Sequence, residues 1–246
     1  MCDSMVDFFV QIFSLMAAHI RNYVLPILAF IILQVGVFLS GPLAYMQFLN
    51  ILALVGMLFF LFQKTKLKGR FHKRVFLGLV ISLIGCIFFA VKAGRNQTLF
   101  PSMLFYVLPQ VYLISAFYLD FRSAPELDKK GARITIVFAF FMSLGYYMAI
   151  RAQLGILKLP VMIGLFTSSL MFMMACFRNM RVNSYSFRTT LVGVLLYILA
   201  EGLFAYHSFA NPIGGVDLIY AVSLMSGLYL VVLGTVSRKL LRTEAA

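Results

Sequence analysis

Residues Leu191–Phe209, LVGVLLYILAEGLFAYHSF, form a nineteen-residue run that is apolar on every face and carries a single acid, Glu201. As a helix rising 1.5 Å per residue it extends about 28 Å, close to the roughly 30 Å of a bilayer's hydrocarbon core. A helix on the outside of a soluble domain keeps one polar face, and this run has none. It therefore predicts a membrane-spanning helix. The rest of the chain repeats the pattern: apolar runs of spanning or near-spanning length cover 24–40, 43–62, 75–91, 103–119, 134–150, 159–176 and 218–236. The fold class expected is all-α, a multi-pass transmembrane bundle of about eight helices.

Composition agrees. Of 246 residues, 62% are hydrophobic and 12% charged, and the mean hydropathy is +0.96. The formal charge of +13 does not mark a nucleic-acid binder, because the basic residues sit in connections between apolar runs rather than along one element. No nucleic-acid partner is expected. Their distribution is a test of orientation, since cytoplasmic loops concentrate Lys and Arg. Seventeen of the 21 fall on one side. These are Arg21, the loop from Lys64 to Arg74, the loop from Arg122 to Arg133, the positions Arg178, Arg181 and Arg188, and the tail from Arg238. Only Lys92, Arg95, Arg151 and Lys158 fall on the other, so both termini are expected in the cytoplasm of a bacterial inner membrane. The N-terminal 1–22 carries Asp3 and Asp7 where a signal peptide carries positive charge, and reads as an interfacial segment. Residues 23–237 read as one membrane domain and 238–246 as a cytoplasmic tail.

Among the acids, Asp3, Asp7, Asp120, Glu126, Asp128, Asp217 and Glu244 lie in tails, loops or helix ends, whereas Glu201 is about 15 Å into its span. An ionised acid at that depth costs roughly 2.5–3.5 kcal/mol, so the side chain is expected to face the bundle or a wet cavity. Tyr197 and Ser208 share its helical face; His207 does not. At matching depth in the third span sits Cys86, in ISLIGCIFFA (81–90), one turn beyond Ser82. A shift of 115 residues superposes Gly85-Cys86 on Ala200-Glu201, which leaves room for a four-helix repeat. In the fourth span Pro109, Gln110 and Tyr112 interrupt an apolar face, and Pro109 is expected to kink the helix. Gln110 reads equally as cavity lining or as interhelical glue.

Other chemistries lack parts. His19, His72 and His207 are dispersed, so no metal site is expected, and there is no P-loop, GxGxxG or GxSxG. Cys2, Cys86 and Cys176 form no paired spacing. The sequon Asn96-Gln97-Thr98 carries no argument.

Several short pieces resemble the YhhN family of membrane lysoplasmalogenases. They are Gly85-Cys86-Ile87-Phe88-Phe89, Phe105 with Tyr112, Pro160-Val161 with Met174-Ala175, and Ala200-Glu201-Gly202-Leu203-Phe204-Ala205. The overlap runs from about Lys68 to Gly234. The resemblance implies eight spans with termini inside, no cofactor, and a lysolipid or other membrane lipid as partner. It also implies an aspartate at each of two polar positions, where this chain has Cys86 and Glu201. Pro109 stands at a family histidine, and the family's aromatic and glutamine positions on the last helix are not recognisable around Leu224–Leu228.

The family's reaction cleaves the vinyl ether of a lysoplasmalogen to a fatty aldehyde and glycerophosphoethanolamine or glycerophosphocholine. It needs an acid to protonate the enol-ether carbon and a base to guide water to the cation formed, tasks that suit two carboxyls. Here Glu201 is the candidate acid and Cys86 stands at the other position without a carboxylate's charge. Tyr197, Tyr112, Ser82 and Gln110 are the candidates to bind substrate, in a cavity expected between the third, fourth and seventh helices. The rival functions are a proton- or cation-coupled transporter or lipid-responsive protein using Glu201, and an accessory family member without the reaction.

Overall fold

The computed structural model describes residues 25–39, 43–92, 99–123 and 129–241. These contain eight α-helices in chain order: α1 (Leu25–Leu39), α2 (Leu43–Thr65), α3 (Arg70–Lys92), α4 (Leu99–Ser123), α5 (Lys129–Ile150), α6 (Lys158–Cys176), α7 (Ser184–Phe209) and α8 (Val216–Val236). A 3₁₀ turn, Gly155–Leu157, leads into α6. The N-terminal segment, the Gly41-Pro42 turn and the sequon lie outside the described residues.

Eight helices therefore form, among the described residues, where eight apolar runs predict them. Helices α2 to α8 are long and apolar enough to cross a membrane, and the described part of α1 contributes 15 apolar residues, about 22 Å. Several helices also outrun their apolar stretches. Helix α3 starts at Arg70 rather than Val75, and α7 at Ser184 rather than Leu191. An apolar run marks the part of a helix that suits lipid, while the backbone ladder continues until the chain turns. It turns before α3 at Gly69, whose φ of +91° favours glycine.

The tightest seam joins α7 to α8. A Cβ on Gly193 of α7 would stand 2.6 Å from the Gly227 carbonyl oxygen, and one on Gly227 would stand 2.8 Å from the Tyr197 nitrogen. One heptad further along α8, a Cβ on Gly234 would meet the Ser186 carbonyl oxygen at 3.0 Å. Small residues let backbones meet where lipid supplies no hydrophobic drive between helices. Helix α8 also touches α1, α2 and α3, and half of its most apolar window is buried, against 11% for α5. The α3–α4 seam uses the same device, Gly78 against Pro109 and Gly85 against Phe105. Helix α4 packs on α6 rather than on its successor α5, which rests on α6 at the periphery. The outer faces, such as Phe140, Phe141 and Met142 of α5, are exposed apolar surface that suits lipid.

At the end of the bundle where α8 finishes, Asp120 occupies the last turn of α4. The sequence places it with the helix-end acids; the structure makes it fully buried. Position along a helix measures depth in the membrane, and burial depends on which neighbours close over the end. Arg178, in the turn after α6 and also fully buried, donates Nε to Asp120 Oδ2 at 2.8 Å, and Arg238 donates Nε to Oδ1 at 2.8 Å. The Arg178 guanidinium lies over the rings of Phe71 and Phe117, and that of Arg238 over Phe71. Burial lowers the Arg178 pKa from its usual value, and the facing Asp120 opposes this. Ser186 accepts from Arg178 Nη2 and donates to the Gly234 carbonyl, linking the cluster to the α7–α8 seam. The chain beyond α8 is pinned to the α6–α7 connection: Asn183 N donates to Lys239 O at 3.0 Å, and Leu241 N to Arg181 O at 3.0 Å.

Replacing Gly227 by Ala forces the α7–α8 backbones apart and is expected to cost about 1–3 kcal/mol. Gly145→Ala, where a Cβ meets nothing within 4 Å, is expected to leave stability unchanged or slightly raised. Thermal unfolding in detergent compares the two. Asp120→Asn, which strands a buried guanidinium, is expected to cost roughly 3–5 kcal/mol in the same assay.

Candidate functional site

Glu201 sits midway along α7 and is 3% exposed, so the position that lipid disfavours is turned inward. Its partners come from several helices. Gln110 of α4, fully buried, donates Nε2 to Glu201 Oε2 at 2.7 Å and to Ser168 Oγ of α6 at 3.1 Å. Ser168 is also within 3.3 Å of Gln110 Oε1, which closes the carboxamide's own requirements. The hydroxyls of Tyr106 on α4 and Tyr197 on α7 lie within hydrogen-bonding reach of the same carboxyl. All these partners are uncharged.

Local sequence explains the convergence. Tyr106 and Gln110 are four apart on α4, and Tyr197 and Glu201 four apart on α7, so each pair shares one face of its helix. Gly164, four before Ser168 on α6, leaves space for the Tyr106 ring: a Cβ there would come within 3.2 Å of Cε1. On the far side, Tyr146 of α5 donates its hydroxyl to the Gly202 carbonyl at 2.6 Å and fixes α7 next to the acid. Tyr220 of α8 lies within electrostatic range of both Glu201 and Cys86. Its ring packs on Phe204 at 4.7 Å between centroids. Phe204 is 40% exposed and Tyr106 and Tyr220 are half-buried, so the cluster meets the lipid-facing surface at its edge.

Of the residues singled out in the sequence, Glu201, Gln110 and Tyr197 come together. The others stand apart from them. Cys86 is half-buried against the main core cluster and is linked to the acid only through the neighbourhood of Tyr220. Ser82 donates its hydroxyl to Gly78 O of its own helix at 3.1 Å. Tyr112 follows Gln110 by two residues, about 200° around α4, and its Cβ lies 3.4 Å from where a Gly78 Cβ would be. It faces α3 while Gln110 faces α6 and α7. Ser208 bonds Phe204 O, and His207 Nδ1 accepts from Ile213 N at 2.7 Å, so both are used locally. The walls around Glu201 are thus α4, α6 and α8, where α3 and α4 were expected. The reason is the α4–α6 contact, which brings Ser168 to a place that sequence order assigns to no helix in particular.

The sequence reading misses Tyr106, Ser168 and Tyr220. Tyr106 was visible as the residue one turn before Gln110 on its own face. Ser168 was visible as part of Thr167-Ser168-Ser169, a polar triplet in an apolar helix.

Compared with known proteins, the chain matches the YhhN family over residues 46–235. The match takes in most of α2 as well as α3 to α8, further toward the N-terminus than the motif overlap, and leaves α1 outside. Neither a curated protein nor a solved structure matches the chain.

The Gln110–Glu201 bond makes a measurable prediction. In a double-mutant cycle with Gln110→Leu and Glu201→Leu, the two stabilities are expected to couple by about 0.5–3 kcal/mol. Each single change leaves a buried partner unpaired, and the second removes that penalty. Strict additivity in the unfolding free energies would mean that the bond does not form.

Proposed function

This chain belongs to the YhhN family, and from that premise we propose that it hydrolyses the vinyl ether of a lysoplasmalogen, with Glu201 as the proton donor. The observation that supports this reading is the setting of the carboxyl: 3% exposed and among partners that carry no charge, with Gln110 donating at 2.7 Å and so placed to receive the anion that proton transfer leaves. Without a counter-charge in a low-dielectric interior, the neutral acid is the form less costly to hold. That form has the proton the reaction needs.

In the first step Glu201 gives its proton to the enol-ether carbon remote from oxygen. The carbon attached to oxygen becomes an oxocarbenium ion, and the glutamate is left as the adjacent anion. Water adds to that carbon while Glu201 takes back one water proton, giving a hemiacetal. The hemiacetal breaks its bond to the glycerol oxygen, releasing a fatty aldehyde and the glycerophospho-alcohol, with no net change in the protein. Gln110 and Tyr197 hold the carboxyl's orientation throughout. Tyr106 and Tyr220, at the half-buried edge, are the groups to orient water, and Phe204 is the surface a single alkenyl chain meets first. One carboxyl does both proton transfers, because Cys86 brings no charge to the other position.

The membrane is that of the bacterial cytoplasm in this reading, with both termini inside. Because the vinyl ether is attached directly to the glycerol, the glycerol end follows it inward toward Glu201 while the chain lies beside α4 and α8. A second reading is supported by Cys86 itself, at a position where the resemblance implies an aspartate. In it the carboxyl only ties α4, α6 and α7 together and the reaction has been lost.

Purified chain in lipid nanodiscs, given a vinyl-ether lysolipid, separates the two by release of fatty aldehyde. Turnover is expected, with Glu201→Gln lowering its rate by about a hundredfold or more, the usual range for removing a general acid. Cys86→Asp is expected to raise it. No aldehyde from either the native chain or Cys86→Asp would leave the tie as the reading that stands.

A further inference from the structure

Between α1 and α8, away from Glu201, lies a groove of about 320 Å3 lined by Phe30, Ile31, Gln34, Val35, Val222 and Ser226. Its volume is at the lower end for small-molecule sites. The side chain that does not belong to an apolar groove is Gln34. It is 8% exposed, and neither its Nε2 nor its Oε1 has a hydrogen-bond partner. A buried carboxamide with both ends unmet is a costly feature; Gln110, by contrast, has both ends bonded, and Asn50 lacks a partner only at Oδ1.

We propose that this groove binds an uncharged single-chain lipid through the free hydroxyls of a glycerol end, one donating to Gln34 Oε1 and the other accepting from Nε2. The chemistry of the lining selects this class. A carboxamide needs a partner that both donates and accepts; an ester or ketone only accepts and leaves Oε1 unmet. No lining residue carries a charge, so a phosphate or choline headgroup has nothing to replace its water. The rest of the wall suits one alkyl chain. Phe30 is held flat by stacking on Tyr229, with centroids 4.3 Å apart and planes 5° apart, and the Tyr229 hydroxyl is itself buried and unpaired. Ile31 and Val35 are about half exposed, at 49% and 50%, which opens the groove sideways to lipid. A monoacylglycerol or a monoalkylglycerol meets these demands equally.

The site is separate from the one around Glu201. Tyr220, which faces Glu201, precedes Val222 by two residues, so the groove uses the opposite face of α8. The proposal does not depend on Glu201 chemistry. It concerns a helix, α1, that lies outside the family match.

The test is photolabelling of the full chain in phosphatidylcholine nanodiscs. Three probes carry the same photoreactive chain: a 1-monoacylglycerol, its di-O-methyl ether, and a lysophosphatidylcholine. The expected result is labelling of peptides holding Phe30–Val35 and Val222–Ser226 by the monoacylglycerol, at least tenfold above the other two probes. Gln34→Leu is expected to remove that preference while the protein stays monodisperse and folded, since the change deletes an unpaired amide. A monoalkylglycerol competitor that displaces the label as well as a monoacylglycerol does identifies the glycerol end as the recognised part; displacement by neither overturns the proposal. Equal labelling by the alcohol and its methyl ether, or labelling indifferent to Gln34→Leu, also overturns it. So does labelling confined to the Glu201 cluster, and so do Ile31→Cys cross-linked dimers without groove labelling, which would make a second copy the occupant.

Discussion

A carboxyl kept from water must be satisfied by its protein neighbours, and the arrangement of the central helices follows from that constraint on Glu201. Lipid offers no donors, so the partners have to come from helices. Gln110 reaches it from α4 and is in turn closed by Ser168 from α6. For both to arrive, α4 has to lie against α6, and that contact leaves α5 outside, resting on α6 with little of its surface covered. The glycine seam then holds α7 close enough to α8 for Tyr220 to join the same neighbourhood. The glycine seams fix α7 on α8 and α3 on α4, and the polar requirement of Glu201 adds the meeting of α4, α6 and α7.

This explains which parts were legible in the sequence. Apolar length is a local property, so the runs predicting α1 to α8 were readable one at a time. Glu201 was legible because a single acid in a run such as LVGVLLYILAEGLFAYHSF has no local excuse. Its partners were legible only when they shared a helix with a residue already noticed, as Tyr197 does. Gln110 drew notice as a lone amide, but whether it met a cavity or a neighbour depended on the α4–α6 contact. Asp120 shows the limit from the other direction. By sequence it is one of seven acids outside the apolar centres; by structure it is as buried as any residue in the protein, because Arg178 and Arg238 close over it from 58 and 118 residues away.

Helix α8 gives the molecule two separate chemical faces. One carries Tyr220 toward Glu201; the other carries Val222 and Ser226 toward the unpaired carboxamide of Gln34. A helix packed on several sides keeps such faces distinct, since side chains at 200° cannot serve both. The polar groups on the two faces differ in state as well. Those around Glu201 answer one another within the protein, whereas Gln34 and Tyr229 hold unmet hydrogen-bonding capacity.

The Asp120 cluster also imposes an order on the making of the protein. Asp120 enters the membrane edge with α4, yet its two counter-ions are encoded 58 and 118 residues later. At synthesis rates of about 5–20 residues per second, Arg178 follows after about 3–12 s and Arg238 after about 6–24 s. For that interval the α3–α4 hairpin lacks the two guanidinium groups that close over its acid in the finished structure. The last of the three charges to arrive lies beyond the final helix, beside the residues that pin the α6–α7 connection. The clasp at this end of the bundle therefore closes only once the residues after α8 have been made, although the acid it closes on is already in place with α4.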